Sequence, residues 1–262
     1  MTAALLAVGR ADIGLAGLAA SGGLIAVGVG ISFWRRLGLE RSLLWAALRA
    51  LIQLLVVGWA LQLVVDPDDS LIWSGLWLLF MLLFAAWTTA QRAAGVPKVF
   101  TLALLAYALS GIVTLGVLFG FQVYELEGRT IVPLAGIVVG NSLSATVLVS
   151  RQLLEAATEQ RGAIEGRLAL GLSARDAFQP HLQRALRTAL VPQIETTKAV
   201  GIVALPGAMV GLILAGVEPA DAVMVQISVM YLVLGSVVTT TTVMSLGISR
   251  ELFTPAQQLR RL

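Results

Sequence analysis

Cysteine is absent from this 262-residue sequence, so disulfide bonds and thiolate metal sites are excluded. Histidine occurs once, as His181, and no cluster of histidine and carboxylate residues at ligand spacing accompanies it. Charged residues make up only 13% of the chain, far fewer than a soluble domain carries. The only lysines, Lys98 and Lys198, do not follow the glycine that an ATP-binding P-loop requires. The sequence therefore predicts no ATPase activity of this type.

The chain does contain long apolar runs. Hydrophobic residues make up 58% of it, and their runs match the roughly 20 residues that a helix needs to cross a bilayer. The basic cluster at 35–41 follows the first run, so we expect a retained helix rather than a signal peptide. The sequence predicts an all-α, polytopic membrane protein with seven transmembrane helices, at about 13–33, 43–65, 71–90, 99–121, 131–149, a sixth ending at Gly216, and 222–247.

Basic residues are concentrated in alternate linkers. Fourteen of the eighteen lie between residues 35 and 41, 92 and 98, and 151 and 187, and in the tail from Arg250. The remaining linkers carry acidic residues such as Asp66, Glu125 and Glu218. Because positively charged loops stay in the cytoplasm, the sequence predicts an external amino terminus and a cytoplasmic carboxyl terminus. We expect a multi-pass protein of a bacterial inner membrane.

One polar segment, at about 151–189, interrupts this pattern between the fifth and sixth spans. Apolar residues recur in it at near-helical spacing, including Leu153, Ala157, Ile164 and Leu168. This spacing favours cytoplasmic helices over disorder. The sequence therefore predicts one transmembrane domain over residues 1–262, with a cytoplasmic helical loop inserted in it.

Within that loop, the run from Glu165 through Leu168, Gly171 and Ser173 to Phe178 resembles the EAA-type loop of ABC transporter permeases. That loop docks a permease on its ATPase subunit, and the resemblance implies ATPase coupling by these five residues. A short surface helix can present an apolar side chain to a groove, and a glycine lets the chain turn sharply beside it. The alternative is an amphipathic helix whose basic residues face lipid headgroups.

The sixth span contains charged residues and a proline. Glu195 and Lys198 are three residues apart at its cytoplasmic edge, so they can pair on one helix face. Pro206, followed by Gly207, removes a backbone hydrogen bond and is expected to kink the helix there. A role in gating or substrate passage and a purely structural ion pair are both open.

The stretch from Glu195 to Gly216, residues 49–54 and the Gly140-Asn141 pair resemble the FetB-type ABC transporter permeases, over nearly the full chain. These are iron exporters with plant relatives tied to aluminium tolerance. The resemblance implies a permease homodimer that exports a metal ion such as iron and is joined by two copies of a cytoplasmic ATPase using ATP and Mg. We expect this chain to be no enzyme and to bind neither a cofactor nor nucleic acid.

Polar residues inside the apolar spans are candidates for a transport path, because such groups usually face the interior of a helix bundle. We expect pathway or gating roles, with an interior packing network as the alternative, for Arg49, Gln53, Asn141, Glu195, Lys198, Pro206 and Gln226. No metal ligands are assigned, so an ABC exporter of a non-metal molecule such as an activated sugar stays open. So does an ion-coupled secondary transporter that uses the Glu195–Lys198 pair.

Overall fold

The computed structural model describes residues 15–64, 71–202 and 205–260. In these ranges the chain forms helices and turns and no strand, and Phe253 and Leu259 form an isolated antiparallel bridge. The prediction of an all-α protein is confirmed for this part of the chain. The helices are α1 (Leu15–Arg35), α2 (Glu40–Val64), α3 (Leu71–Arg92), α4 (Val99–Gly120), α5 (Gly128–Glu159), α6 (Arg161–Ala169), α7 (Ala174–Ala199), α8 (Gly207–Leu214) and α9 (Pro219–Glu251).

Five helical segments within the described ranges are long and apolar enough to cross a membrane: Glu40–Trp59, Leu71–Arg92, Val99–Gly120, Thr130–Glu159 and Pro219–Glu251. They correspond to the second, third, fourth, fifth and seventh spans expected from the sequence. A shorter apolar helical segment, Ala19–Arg35, occupies the place of the first span. The count of seven and the orientation across the membrane stay predictions.

The sixth span is not the single helix that the sequence predicts. Helix α7 ends at Ala199, the chain turns at Gly201 with φ of +86°, and Pro206 caps the eight-residue helix α8. Pro206 therefore begins a new helix and does not kink a continuous one. The conformation suits proline, whose fixed φ is well placed at a helix start and which has no N–H to donate within a helix.

The described helices fall into two compact units, one within residues 1–66 and the other within 67–262. The first unit contains α1 and α2, joined by a short turn in which Arg36 and Gly38 have positive φ. Ser32, which is almost fully buried, stabilises this turn through two hydrogen bonds. Its Oγ donates a hydrogen bond to Glu40 Oε1 at 2.7 Å and accepts one from the Leu39 N–H at 3.1 Å.

The second unit contains α3 to α9 packed around two apolar clusters. The first cluster joins the C-terminal part of α5, helix α6, the first half of α7 and the end of α9, and it includes Leu153, Ile164, Phe178 and Ile248. The second cluster joins α4, α5 and α9 nearer their other ends, through residues such as Leu118, Leu134 and Val233. We call the end of this unit that carries α6 the polar end.

Basic and acidic linkers of the second unit lie at opposite ends. At the polar end, Lys98 after α3 forms a 2.9 Å ion pair with Glu251 at the end of α9. At the other end, Tyr124 after α4 bonds Ser228 near the start of α9, at 2.6 Å between the two hydroxyl oxygens. The alternation of basic and acidic linkers in the sequence therefore corresponds to two ends of one helix bundle.

Most polar side chains inside this bundle form hydrogen bonds with backbone atoms of their own helix. Ser142, Thr146 and Ser150 each donate to the backbone carbonyl four residues earlier in α5. Such bonds are common for serine and threonine in apolar helices. An inter-helix exception is the 2.9 Å hydrogen bond between the hydroxyls of Thr89 on α3 and Tyr107 on α4, both of which are fully or almost fully buried.

Replacement of Tyr107 by phenylalanine removes this inter-helix bond while keeping the ring in the core. We expect the free energy of unfolding to fall by about 1 kcal/mol, since buried hydrogen bonds between membrane helices contribute roughly 0.6–1.7 kcal/mol. Thermal unfolding of the detergent-solubilised protein measures the loss. Tyr231→Phe is the matched control, because Tyr231 is 70% exposed on α9. Equal stability of the two variants would contradict a stabilising role for the Thr89–Tyr107 bond.

Candidate functional site

Helix α5 is longer than a bilayer requires. Its 32 residues extend about 48 Å at 1.5 Å per residue, whereas the hydrocarbon layer is about 30 Å thick. The charged residues of its C-terminal part, Arg151, Glu155 and Glu159, indicate that the extra length lies at the polar end. Helix α5 therefore has about 18 Å more length than the hydrocarbon layer requires, and helix α6 follows this extension.

The turn after α6 is set by glycine. Gly171 has φ of +90°, and its N–H donates to the Leu168 carbonyl at 3.0 Å. The next N–H, that of Leu172, reaches back to the Arg167 carbonyl at 3.2 Å. This pair of bonds is the Schellman motif, which ends a helix with a left-handed residue that is usually glycine. The sharp turn expected at Gly171 is thus present, and we call residues 170–173 the α6–α7 turn.

Ser173 begins α7. Its Oγ accepts a hydrogen bond from the Asp176 N–H at 3.2 Å and donates to the Asp176 carboxylate at 2.6 Å. A serine at the cap with an acidic residue three positions later satisfies donors that a helix start otherwise leaves free. The α6–α7 turn is therefore constrained on both sides, by the Schellman motif and by this cap.

The other three residues expected to couple to an ATPase have different environments. Glu165 is half exposed and pairs with Arg161 at 2.8 Å. Leu168 is partly buried against the first apolar cluster. Phe178 is fully buried, and its ring packs edge-on against Phe253, with 5.8 Å between the ring centroids. Phe178 therefore supports the turn from beneath and does not offer a surface for docking.

Leu170 is the exposed apolar side chain that the sequence reasoning missed. It is 81% exposed and directly precedes Gly171. A single exposed apolar side chain is common on protein surfaces, so its position at the tip of the turn, and not its exposure alone, makes it a candidate contact for a partner. The available signal was the Leu-Gly pair at the helix end, because a Schellman glycine leaves the residue before it at the tip of the turn.

His181 lies under the same surface. It is buried beside Phe178, and its Nε2 has no hydrogen-bond partner among the described residues. Burial, together with the positive charges of Arg167 and Arg184, lowers the pKa of His181 below its ordinary value. The ring is therefore neutral near pH 7. No group of three or more His, Cys, Asp or Glu residues that could hold a metal occurs in the described ranges.

The second candidate region is the end of α7. Lys198 Nζ and Glu195 Oε1 are 2.9 Å apart, so the predicted i,i+3 pair is formed. Both side chains are about two-thirds exposed on the surface of the second unit. The helix ends one residue beyond Lys198, where the irregular segment towards Pro206 begins.

The neighbours of α7 give the position of this ion pair along the bundle, and its expected place at the cytoplasmic edge of a span stays a prediction. Helix α7 runs antiparallel to α5: Phe178 shares a cluster with Leu153, and Leu190 packs against the cluster that contains Ala145 and Val138 of α5. Glu195 lies five residues beyond Leu190, about 7 Å further along the axis. By this count Glu195 is level with about residues 133–140 of α5, in the first half of that helix.

The remaining candidates lie on α2, α5 and α9. On α5, Asn141 is exposed and uses its side-chain N–H₂ on the Ile137 carbonyl at 2.8 Å. Gln226 on α9 is buried, and its Oε1 has no hydrogen-bond partner among the described residues. Arg49 and Gln53 lie one turn apart on an exposed face of α2, in the first unit. Their roles as a pathway stay predictions.

A helical bundle with several segments long and apolar enough to cross a bilayer, and with a polar extension at one end, defines a multi-pass membrane protein. Residues 15–253 match the model of a family described as "Uncharacterised protein family (UPF0014)". The chain belongs to this family. No solved structure matches it.

Three curated relatives cover most of the chain. It is 37% identical over 224 residues to "UPF0014 membrane protein STAR2" of Oryza sativa subsp. japonica, covering 86% of this chain and 78% of that protein. It is 31% identical over 236 residues to "Probable iron export permease protein FetB" of Escherichia coli, covering 90% and 91% of the two chains. It is 32% identical over 237 residues to "Protein ALUMINUM SENSITIVE 3" of Arabidopsis thaliana, covering 90% and 86%. The resemblance to FetB-type proteins is thereby confirmed.

Replacement of Gly171 by alanine tests the turn. A Cβ would meet open space there, but φ of +90° is unfavourable for an L residue, so we expect a loss of about 1–2 kcal/mol in the free energy of unfolding. Gly166→Ala is the matched control: this residue is inside α6, a Cβ also meets open space, and alanine favours helix by up to about 1 kcal/mol. Thermal unfolding in detergent compares them. A loss in both variants, or in neither, would argue against a left-handed turn at Gly171.

Proposed function

We propose that this chain is the membrane-spanning permease subunit of an ATP-driven exporter, and that its polar end faces the cytoplasm and docks on a separate ABC ATPase subunit. The observation that carries the proposal is the exposed Leu170 at the tip of the α6–α7 turn, held well beyond the hydrocarbon by the extension of α5. An apolar tip on a rigid turn fits a groove on a soluble partner.

Two further observations support the cytoplasmic partner. The segment 151–187 carries six arginines, as expected of a loop that stays in the cytoplasm. The sequence lacks a P-loop, so the energy for ATP-driven transport has to come from another subunit, which would use ATP and Mg. The relative from Escherichia coli is named an export permease, which agrees with a subunit of this kind.

The transport path runs, in this proposal, past the end of α7. Charged side chains level with the middle of a bilayer are stable when they face water or another protein surface. An irregular backbone at that depth is tolerated where it is buried in protein or lines a water-filled cavity. In this proposal the Glu195–Lys198 pair and the break that follows it face a water-filled path, which stabilises both the charges and the irregular backbone. A second copy of the chain would complete the walls of this path.

Iron is the proposed substrate because a relative at 31% identity is named a probable iron export permease. The described residues offer no cluster of metal-binding side chains, so the path would guide the ion and not hold it tightly. An activated sugar is the alternative cargo, and a direct transport assay distinguishes the two.

A secondary transporter is the second candidate, and the broken helix favours it. Discontinuous transmembrane helices with a charged or polar site beside the break are frequent in ion-coupled transporters. Transport that persists in sealed vesicles without ATP and without an ATPase subunit would support this candidate and contradict the proposed function.

Co-purification tests ATPase docking. Each ABC ATPase of the source genome is co-expressed with the tagged chain, and we expect one of them to co-purify with it. Leu170→Asp places a charge on the exposed tip and is expected to weaken this association by about tenfold or more. Gln183→Asp, on an exposed part of α7, is the control and is expected to leave it unchanged. Full association of the Leu170→Asp variant would contradict docking at the turn.

Flux through reconstituted vesicles tests the ion pair. With the identified ATPase and ferrous iron, the double variant Glu195→Gln, Lys198→Gln is expected to reduce ATP-dependent flux about tenfold or more, equivalent to 1.4 kcal/mol of barrier. The matched control neutralises the Lys98–Glu251 pair, which has the same 2.9 Å separation at the polar end. Unchanged flux with Glu195 and Lys198 both neutralised would leave them a structural role only.

A further inference from the structure

The chain after α9 folds back on itself. We call residues 252–260 the C-terminal tail. Leu252, Phe253 and Leu259 are buried, and the Arg260 N–H donates to the Leu252 carbonyl at 2.9 Å. The Thr254 N–H donates to the Gln258 carbonyl at 2.8 Å, which closes a compact loop. The C-terminal tail therefore has a defined folded structure.

The C-terminal tail contacts the residues on either side of the α6–α7 turn at three points. The guanidinium of Arg161, at the start of α6, donates to the Leu259 and Arg260 carbonyls at 3.0 and 2.9 Å. Gln257 Oε1 accepts a hydrogen bond from the Ala174 N–H at 2.9 Å, at the first residue of α7. Phe253 packs on Phe178 beneath the turn. These contacts connect the end of α9 to both sides of the α6–α7 turn.

Between the two elements lies an open cleft of about 720 Å³. Its walls are Glu165, Leu168 and Leu172 on the docking side and Thr254, Ala256 and Gln258 on the tail side. Polar and apolar atoms contribute similar shares of the surface that lines the cleft. Such a mixture is typical of the surfaces by which separate subunits recognise each other.

The charge around the cleft is positive. Residues 161–176 contain three arginines and two carboxylates, while the described part of the C-terminal tail contains Arg260 and no acidic residue. One of the carboxylates, Glu165, is already paired with Arg161. A partner with an acidic rim would be attracted to this surface, and charge complementarity would set its orientation.

The position of the cleft favours a soluble protein over lipid headgroups. The Arg161 end of α6 follows directly on α5, which extends well past the length needed to span the hydrocarbon. A headgroup-binding helix would instead lie in the interfacial plane with its apolar face buried about 5–10 Å. The apolar tip of the turn, Leu170, is therefore available to a protein partner.

We propose that the C-terminal tail is the second half of the ATPase docking surface, so that the partner contacts the α6–α7 turn and the tail together and inserts an acidic-rimmed segment into the cleft between them. Arg161 and Gln257 are positioning residues, which hold the tail against the turn. This inference rests on the proposed function, because it specifies the surface of the same partner.

Cysteine protection tests the composite surface, and the absence of native cysteine makes each introduced thiol unique. Single variants Leu170→Cys, Ala256→Cys and Gln183→Cys place thiols on the turn, on the tail and on an exposed part of α7. A maleimide probe labels the full-length protein in nanodiscs, with and without the ATPase identified by co-purification. At about ten times its Kd, the ATPase is expected to slow labelling of positions 170 and 256 about tenfold and to leave position 183 unchanged.

The outcomes separate the two proposals. Failure of every ATPase to bind the wild-type chain contradicts the proposed function. Protection of position 170 without position 256 leaves that function intact and overturns the role of the C-terminal tail. Protection of position 256 by anionic lipid in the nanodisc, without any ATPase, would assign the tail to the membrane surface and also overturn the inference.

Arg161→Ala tests the positioning role. The variant removes both hydrogen bonds to the tail, so the ATPase is expected to protect position 256 at least about fivefold less than in the parent while still protecting position 170. Arg187→Ala, an exposed arginine further along α7, is the charge-matched control and is expected to retain both protections. Equal protection of position 256 in the two variants would show that Arg161 does not position the tail.

Discussion

Every backbone polar group within a bilayer has to find a hydrogen-bond partner, and this requirement governs the architecture of the chain. The long apolar segments of α2, α3, α4, α5 and α9 are helical, so most of their backbone groups pair within the helix. The break between α7, which ends at Ala199, and α8, which begins at Gly207, is different, because helix ends leave several carbonyl and N–H groups without intrahelical partners. Its position next to the Glu195–Lys198 pair joins two costly features at one place, which is typical of functional regions in membrane proteins.

The sequence was sufficient for features that depend on neighbouring residues. Long apolar runs predicted five of the spans, the glycine predicted the turn at 171, and the i,i+3 spacing predicted the contact between Glu195 and Lys198. It was not sufficient where one residue allows two conformations. A proline in an apolar run can kink a helix or begin a new one, and the left-handed turn at Gly201 gives the second result.

The exposure of individual side chains depends on tertiary contacts, which local patterns do not contain. Phe178 and Leu170 both looked like apolar members of an amphipathic segment, yet one is fully buried and the other is 81% exposed. The difference arises because the C-terminal tail folds back and places Phe253 against Phe178, a contact between residues 75 positions apart. The same return of the chain brings Gln257 to the start of α7, and nothing in either segment alone indicates this.

The continuity of α5 has a mechanical consequence. A single helix of 32 residues runs from the far end of the bundle to Glu159, just before α6, and its one internal proline, Pro133, lies close to its first turn. From Asn141 to Glu159 the helix contains neither proline nor glycine, so this part is expected to move as a rigid rod. A pivot near its centre would convert a push at one extremity into an opposite displacement at the other, so that a passage narrowing on one side of the membrane would widen on the other.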